Sequence, residues 1–480
     1  MICLLKGNDL YLRARNWSAA EDFVWKCSIV NVNWWAENHY FNIETGYTCP
    51  NSAPDDSLDQ LTQWKEAHDD ICALPINDTY VAANHGMNCM EIVTAPEHGK
   101  TNDDIGSVWL DAENRTYCLV KIYQADKLGF VLFDDAAMEK GVFGYGKPQG
   151  KLIHKANALH QQDVIIAERS GGQLRPSFNH YSIRLLVDGK QVDPYTDLMQ
   201  ACSCASVETR YDVIYVPAML RYLMENVGKN DNASMFAECI RERYVRVTLR
   251  YDFHENGSVT VCSSYAFQKA VDLDYIGLAQ SMTVAEKPYA YVPDTAYDVL
   301  TQQDETQKFV FTRDVWRNAE KVPYRYYQFK DSTCAEGMAV VYDRNYGWGD
   351  NATRLACSKH AGYYNNTRKV YPSLVSGLKL EAGTDITGVA ARIPISKGDP
   401  DLTAVCWYYI GEEIVLMLDT HKAVDKDVSL PDSLTGREME IHDSSASCDL
   451  SKLTLDGNKL HICFDGYGYL VLRLKKGGNT

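Results

Sequence analysis

The sequence predicts a mainly β protein that is built from antiparallel strands with a few short inserted helices. Three observations predict it. Alternating apolar and polar runs recur through the middle and the end of the chain. Pairs of these runs are joined by Asn-Gly or Asp-Gly, which tolerate the positive φ of tight hairpin turns. Helical patterns are few, and no repeat of about 20–50 residues indicates a solenoid or a repeat-built propeller.

The clearest predicted hairpins are centred on three turns: Asp188-Gly189, Asn256-Gly257 and Asp456-Gly457. Two helices are predicted between strands. Ser57 is a suitable cap for a helix through His68, and Pro217 suits the first turn of a helix over 218–227.

Composition and charge exclude several classes of protein. The chain has 480 residues, and 45% of them are hydrophobic. No apolar run approaches the roughly 18–20 residues of a membrane-spanning helix. The sequence therefore predicts a soluble protein without a membrane partner. A net charge of −16 without a long basic cluster argues against a nucleic-acid partner. The stretch 1–6 lacks the pattern of a signal peptide, so the cytoplasm is the default expectation, and a signal peptide that has been removed stays open.

Cysteine usage indicates reduced thiols. The 15 cysteines are an odd number and form no CxxC motif, so most of them are expected to be buried and unpaired. His85, Cys89 and His98 fit no standard zinc spacing, and no glycine-rich segment matches a nucleotide-binding loop. The sequence therefore predicts neither a metal nor another cofactor.

Two stretches carry a resemblance to a known class. From Tyr244 to Met282, a strand, an Asn-Gly turn and a second strand lead into Asp272-Leu273-Asp274. This stretch resembles the large antiparallel β-sandwiches of galactose-mutarotase type in carbohydrate-active enzymes. The segment 404–474 resembles the small β-domain that often ends such enzymes. The resemblance implies β-sandwich domains, a small C-terminal β-domain and a carbohydrate substrate, but it maps no catalytic motif of a specific family.

Turn-rich segments suggest domain boundaries near residues 165 and 305. The prediction is an N-terminal β-rich domain over 1–165, a central antiparallel β-sandwich over 166–305, and a C-terminal portion over 306–480 that ends in the small β-domain.

The densest polar region surrounds two histidines that are each followed by glycine. Asn84, His85 and Gly86 form one predicted loop, and His98 lies in the next. A glycine neighbour lets a ligand approach the imidazole closely. His85 is therefore a predicted catalytic residue, and Asn84 and His98 are predicted to bind substrate. The alternative is that both histidines are turn residues that bond to nearby backbone.

A second group enters the strand before Asp188-Gly189. Strand alternation places His180 and Arg184 on one face and Tyr181 on the other, unless a bulge intervenes. Between Lys140 and Lys190, eight Lys or Arg residues stand against three acids, a local charge of +5. We therefore predict His180, Tyr181 and Arg184 as catalytic residues that act on an anionic substrate.

Such a set of residues suits cleavage of a uronate-containing glycan by β-elimination. This reaction needs a group that neutralises the carboxylate, a base near neutral pKa, and an acid for the leaving oxygen. A glycoside hydrolase would instead use two carboxylates, for which Glu97, Asp103, Asp104 and Asp111 are candidates.

Aromatic residues beside polar ones suggest sugar binding, because a ring plane matches the C–H face of a sugar and the polar groups match its hydroxyls. The residues predicted to bind substrate on this ground are Trp109, Arg325, Tyr326 and Trp348. The alternatives are that alternate aromatics belong to the core, or that the chain binds glycans without cleaving them. The sequence leaves the glycan and the oligomeric state open.

Overall fold

The structure of this chain is a computed structural model. The described residues are 1–7, 9–32, 38–51, 70–73, 79–83, 90–91, 106–112, 115–124, 127–134, 152–156, 168–170, 173–175, 178–214, 243–279, 281–282, 289–291, 301–302, 325–329, 336–343, 369–370, 373–396, 399 and 401–476. In these ranges the regular structure is β-strand, apart from a short 3-10 helix at Asp432–Leu434. The mainly β prediction is therefore confirmed.

The strands of the first half are β1 (Ile2–Lys6), β2 (Asp9–Ala14), β3 (Glu21–Val32), β4 (Asn38–Pro50), β5 (Asp70–Ala73), β6 (Thr79–Ala83), β7 (Met90–Glu91), β8 (Gly106–Ala112), β9 (Arg115–Gln124), β10 (Lys127–Asp134), β11 (Leu152–Ala156), β12 (Glu168–Ser170), β13 (Gln173–Arg175), β14 (Phe178–Val187), β15 (Lys190–Val192), β16 (Leu198–Ala201) and β17 (Cys204–Ile214). Those of the second half are β18 (Arg243–His254), β19 (Val259–Phe267), β20 (Val271–Leu278), β21 (Ser281–Met282), β22 (Tyr289–Tyr291), β23 (Thr301–Gln302), β24 (Arg325–Phe329), β25 (Gly337–Tyr342), β26 (Lys369–Val370), β27 (Ser373–Leu380), β28 (Asp385–Ile395), β29 (Ala404–Ile410), β30 (Glu413–Thr420), β31 (Val424–Ser429), β32 (Arg437–Ser444), β33 (Thr454–Asp456), β34 (Lys459–Phe464) and β35 (Gly468–Lys476).

Two large sheets form a sandwich. The first has the order β16-β1-β2-β3-β4-β5-β21-β26, and the second has the order β15-β14-β17-β18-β19-β28-β25-β24-β22-β23. Alternate residues of β18 are buried from Val245 to Phe253, as period-two strands require. The Phe41 ring of the first sheet lies 4.8 Å from the Tyr251 ring of the second. These contacts confirm the predicted large antiparallel β-sandwich.

The small C-terminal β-domain is also confirmed. Strands β29, β30, β35 and β32 form one sheet, and β31, β34 and β33 form another. A core that includes Leu416, Leu460 and Leu472 fills the space between these two sheets. The opposite face of the four-stranded sheet packs on the ten-stranded sheet through Met417 and Ile393, among others. Strand β30 is therefore buried on both faces, which explains its nearly continuous apolar sequence.

All three predicted hairpins are confirmed. The Asp188-Gly189 turn has φ values of +47° and +76°, and Gly257 has a φ of +82°. These values lie in the left-handed region that glycine enters without steric cost. The third turn joins β33 to β34 beside Gly457.

The predicted domain boundaries at 165 and 305 separate strands that pair with each other in the structure. Strand β16 pairs with β1, and β28 pairs with β19. The three-part division stays a prediction, and the three predicted parts contribute strands to the same sheets.

The two predicted helices, through His68 and over 218–227, lie outside the described residues. Within the described part of the chain, no helix is long and apolar enough to cross a membrane.

A buried ion pair holds the turn between β2 and β3. The side chains of Arg13 and Asp22 are 0% and 1% exposed, and their closest approach is 2.5 Å. Asp22 Oδ2 accepts a hydrogen bond from Arg13 Nε at 2.7 Å, while Oδ1 accepts one from the backbone N–H of Asn16 at 2.7 Å. One carboxylate therefore neutralises a buried cation and fixes the turn.

We expect Asp22→Ala to lower the free energy of unfolding by about 3–5 kcal/mol, because it leaves the Arg13 charge buried without its partner. The matched control is Glu208→Gln, which removes the partner of the half-exposed Arg184 and should cost less than about 1 kcal/mol. Urea unfolding of both variants measures the difference. Equal transition midpoints would contradict a structural role for the buried pair.

Candidate functional site

The structure describes the side chains of two of the ten predicted site residues. Four of the ten, Asn84, His85, His98 and Trp348, lie outside the described residues. His180 and Tyr181 lie in β14, Trp109 lies in β8 and Tyr326 lies in β24, where only their strand positions are described. The roles of these eight residues stay predictions.

Strand β14 contains a bulge at the predicted catalytic group. Asn179 pairs with Asp212, and the next recorded pair is Ser182 with Arg210. Three residue steps on β14 therefore match two on β17, so His180 and Tyr181 fall within an irregularity. The bulge interrupts the alternation on which the same-face placement of His180 and Arg184 depends.

Arg184 lies on the surface of the ten-stranded sheet. Its side chain is 50% exposed, and its guanidinium contacts the Glu208 carboxylate across the β14–β17 pair at 2.5 Å. A substrate carboxylate can reach this guanidinium, but it would compete with Glu208.

Arg325, which the sequence predicts as a substrate contact, is 0% exposed. It donates a hydrogen bond to Asp419 at 3.0 Å, and its guanidinium lies over the Tyr469 ring at 4.4 Å from the centroid. Tyr327 also donates to Asp419. Arg325 therefore joins β24 to the C-terminal domain, and its complete burial leaves it no surface for a substrate.

A separate cleft opens where the two large sheets meet the C-terminal domain. Its volume is about 630 Å³, within the range of small-molecule sites. We call it the hairpin cleft, because the β18–β19 hairpin forms one wall. Its other walls come from the β2–β3 turn, the end of β28, strand β29, and β31 with the 3-10 helix. The side chains that matter for its chemistry are Arg15, Trp17, Glu255, Asn256, Asp399, Trp407, Tyr409 and Asp427.

The β2–β3 turn brings Trp17 to the cleft. Asn16 adopts a φ of +53°, and its N–H is held by Asp22. The Trp17 indole N–H donates to the Pro394 carbonyl at 3.3 Å, and its ring lies 5.6 Å from that of Phe23. Contacts on both sides fix the half-buried indole in the wall.

The β18–β19 hairpin is held by hydrogen bonds and by close packing. Asn256 Nδ2 donates to the Trp407 carbonyl at 2.8 Å, and Asn256 Oδ1 accepts from Ser258 Oγ at 2.7 Å. A Cβ added to Gly257 would lie 2.9 Å from Pro394 Cγ, so no larger residue fits without displacement. The hairpin is therefore positioned directly against β28 and β29.

Tyr409 and His254 stack where the hairpin meets β29. Their ring centroids are 4.4 Å apart with an interplanar angle of 25°. Burial raises the pKa of the Tyr409 phenol, and burial lowers the pKa of His254 to about 4. Both groups are therefore neutral near pH 7. His254 Nε2 is buried without a hydrogen-bond partner in the described part of the chain.

Carboxylates give the cleft an acidic rim. Asp399 accepts a hydrogen bond from Lys426 Nζ at 2.7 Å. Asp427 Oδ1 lies 2.9 Å from His461 Nδ1. Glu255 is exposed on the hairpin.

Aromatic rings beside hydroxyl, amide and carboxylate groups can hold a polyhydroxylated ring, because the planes cover C–H groups and the polar atoms meet hydroxyls. The described residues contain no group of three or more His, Cys, Asp or Glu side chains suited to hold a metal ion.

Sequence reasoning did not single out this cleft. Residues 15–17, 255–256, 393–396, 399, 405–407, 409 and 427–429 are far apart in the chain and meet only in the folded protein. The one local signal is Asn256-Gly257, which predicts the hairpin but says nothing of what packs against it.

No protein-family model matches the chain, and no curated protein matches it. Among solved structures, the chain is similar to one described as a polysaccharide lyase, with 10% identity over 62% of this chain and 39% of that chain and a TM-score of 0.19. A galactose 1-epimerase from Lactobacillus acidophilus shows 10% identity over 62% of this chain and 99% of its own, with a TM-score of 0.19. A protein from the human microbiome, described as a kojibiose phosphorylase, shows 9% identity over 68% of this chain and 33% of its own, with a TM-score of 0.18.

All three descriptions name carbohydrate-processing proteins, the class that the sequence resemblance implies, and no specific family is assigned. At TM-scores this low, the likeness by itself establishes neither a shared fold nor a shared activity.

We expect His254 to make the protein sensitive to acid. The unfolded chain takes up this proton near pH 6.5, whereas the folded protein takes it up only near pH 4. The unfolded state binds more protons between these two pH values. The contribution of His254 to the free energy of unfolding is therefore fully present above pH 6.5 and is lost as the pH falls to 4. A pKa of about 4 in place of 6.5 corresponds to about 3 kcal/mol of unfolding free energy.

His254→Phe keeps an aromatic ring against Tyr409 and removes the titration. Urea unfolding at pH 7, 5.5 and 4 should show a smaller loss of stability for this variant than for the parent. Parallel pH dependences of the two proteins would contradict the assignment.

Proposed function

We propose that this chain is a carbohydrate-active enzyme. The single observation that carries the carbohydrate part is the hairpin cleft, in which Trp17, Trp407 and Tyr409 stand beside amide and carboxylate groups. Rigid rings and short polar side chains that converge in a cleft of this size suit a sugar better than an apolar ligand.

The reaction that we propose is cleavage of an acidic, uronate-containing glycan by β-elimination. Arg184 neutralises the substrate carboxylate, and the His85 or His180 imidazole removes the C5 proton. The proton that the leaving oxygen needs comes from Tyr181 or from the other histidine. The C–O bond breaks as the C4–C5 double bond forms, so no oxidant or metal is required.

Two features support an anionic substrate. The chain is strongly acidic overall, yet the segment from Lys140 to Lys190 carries a local charge of +5. The Arg184 guanidinium is half exposed, and its present partner Glu208 is itself 25% exposed, so a bidentate substrate carboxylate could replace it. These features support the recognition of a substrate carboxylate by Arg184.

A glycoside hydrolase is the second candidate. The observation that favours it is the presence of three carboxylates, Glu255, Asp399 and Asp427, in one cleft with aromatic rings. A protein that binds glycans without cleaving them is the third candidate, because the cleft alone would suffice for binding.

Incubation with a panel of uronate polysaccharides separates the three candidates. We expect new reducing ends together with the ultraviolet absorbance of an unsaturated product, because elimination leaves a conjugated C4–C5 double bond. A hydrolase would produce only the reducing ends, and a binding protein would produce neither signal. Either of these two results would contradict the elimination.

The pH profile and four variants test the residues. A histidine base near its ordinary pKa of about 6.5 predicts a neutral-to-alkaline optimum. His85→Ala and His180→Ala should abolish turnover, whereas Asp103→Asn should retain some activity. Arg184→Lys keeps the charge but loses the planar fork, so KM for the uronate substrate should rise.

Thermal unfolding should show that the variants are folded. An acid optimum combined with an inactive Asp103→Asn would instead assign the reaction to a hydrolase. Full activity in folded His85→Ala would remove that residue from the mechanism.

A further inference from the structure

The hairpin cleft and His180 lie toward opposite ends of paired strands of the ten-stranded sheet, and Arg184 lies between them. Asn179, next to His180, pairs with Asp212, which in turn pairs with Arg246 on β18. His254 lies eight residues further along β18 and stacks on Tyr409 in the cleft. At about 3.4 Å per residue, eight residues correspond to roughly 27 Å along the strand. One sugar ring cannot reach both ends.

We infer that the hairpin cleft is an ancillary glycan site that binds an uncharged sugar, remote from the bond that is cleaved. The inference rests on the proposed function, because it takes the elimination residues to be those near His180. The inference adds to that function a second glycan site and the class of sugar that binds there.

The charge of the cleft argues for an uncharged sugar. Among the lining residues that the structure describes, Arg15 is the one cation, against the carboxylates of Glu255, Asp399 and Asp427. Just behind the lining, Lys422 and Lys426 both bond to Asp401, and counting these three residues leaves an excess of one negative charge. A uronate would meet repulsion here, whereas sugar hydroxyls can donate charge-assisted hydrogen bonds to carboxylates.

The arrangement of the aromatic groups supports the same ligand. Trp17 is fixed by Pro394 and Phe23, and Tyr409 by its stacking on His254. The carbonyl of Tyr409 also accepts a hydrogen bond from Thr260 Oγ1 at 2.6 Å. These contacts hold the rings in place before a ligand arrives, so little conformational entropy is lost on binding.

A second site changes how the protein acts on a long chain. Occupation of the cleft by one part of a polymer raises the effective concentration of its other parts near the elimination residues. The corresponding substrate contains uncharged sugars as well as uronates. Short oligosaccharides that cannot reach both sites would not benefit.

The test measures binding to the full chain by calorimetry. The probes are uncharged oligosaccharides of glucose, galactose and N-acetylglucosamine, and oligomers of glucuronate and galacturonate of matched length. We expect the parent to bind at least one uncharged oligomer. Trp17→Ala and Trp407→Ala should weaken this binding about tenfold, the equivalent of losing one aromatic contact.

Glu255→Gln tests the charge without risk to the core, because Glu255 is exposed. This variant should bind the uncharged oligomer more weakly and the uronate oligomers more tightly than the parent does.

The matched control for the two tryptophan variants is Tyr195→Ala, which removes an aromatic ring that is 46% exposed and does not line the cleft. It should bind like the parent. In the cleft variants, KM for a long polymer should rise more than KM for a short oligosaccharide.

The outcomes separate this inference from the proposed function. If the parent cleaves uronate glycans but all three cleft variants bind and act as it does, the ancillary site is refuted and the enzyme assignment stands. If the uncharged oligomer binds through Trp17 and Trp407 but no glycan is cleaved, the enzyme assignment fails and the binding site stands. Tighter binding of uronates than of uncharged oligomers by the parent would overturn the inferred ligand class.

Discussion

Asp419 lies completely buried between the ten-stranded sheet and the C-terminal domain, where it meets Arg325 and Tyr327. Burial raises the pKa of this carboxyl, and the Arg325 guanidinium opposes the rise. Neither charge would be stable in this apolar interface alone. The C-terminal domain must therefore dock in the register that brings the two together. Strand β29, next to β30, is positioned by the same docking, and it carries Trp407 and Tyr409 into the hairpin cleft.

The cleft has walls from several sheets, and each wall is held by a contact with its neighbour. Asn256 bonds to the backbone of β29, Trp17 bonds to that of β28, and Gly257 packs against Pro394. The site therefore does not depend on one flexible loop. Its shape follows from how the sheets meet, so a change in a distant core residue can alter the cleft by shifting one sheet against another.

Local patterns were sufficient to predict the strands and the hairpins, because turn chemistry and period-two burial are properties of neighbouring residues. The small C-terminal β-domain was implied by the resemblance. Arg325 shows that local patterns do not predict contacts between distant parts of the chain. Beside Tyr324 and Tyr326 it suggests an aromatic surface, but strand alternation turns it inward with Tyr327. Its partner Asp419 is 94 residues away in the chain. The bulge between Asn179 and Ser182 has no evident glycine or proline signal, and the cleft has no contiguous sequence at all.

The eight-stranded sheet is assembled from distant parts of the chain. Strands β1 to β5 are joined by β16 at one edge, and by β21 and β26 at the other. During synthesis the first strands leave the ribosome long before residue 370 is made, and at typical rates the delay is on the order of tens of seconds. The β1 edge is covered once β16 is made, but the β5 edge is open to wrong partners until β21 is made. We therefore expect chains that end before β21 to expose the unpaired β5 edge, which favours aggregation.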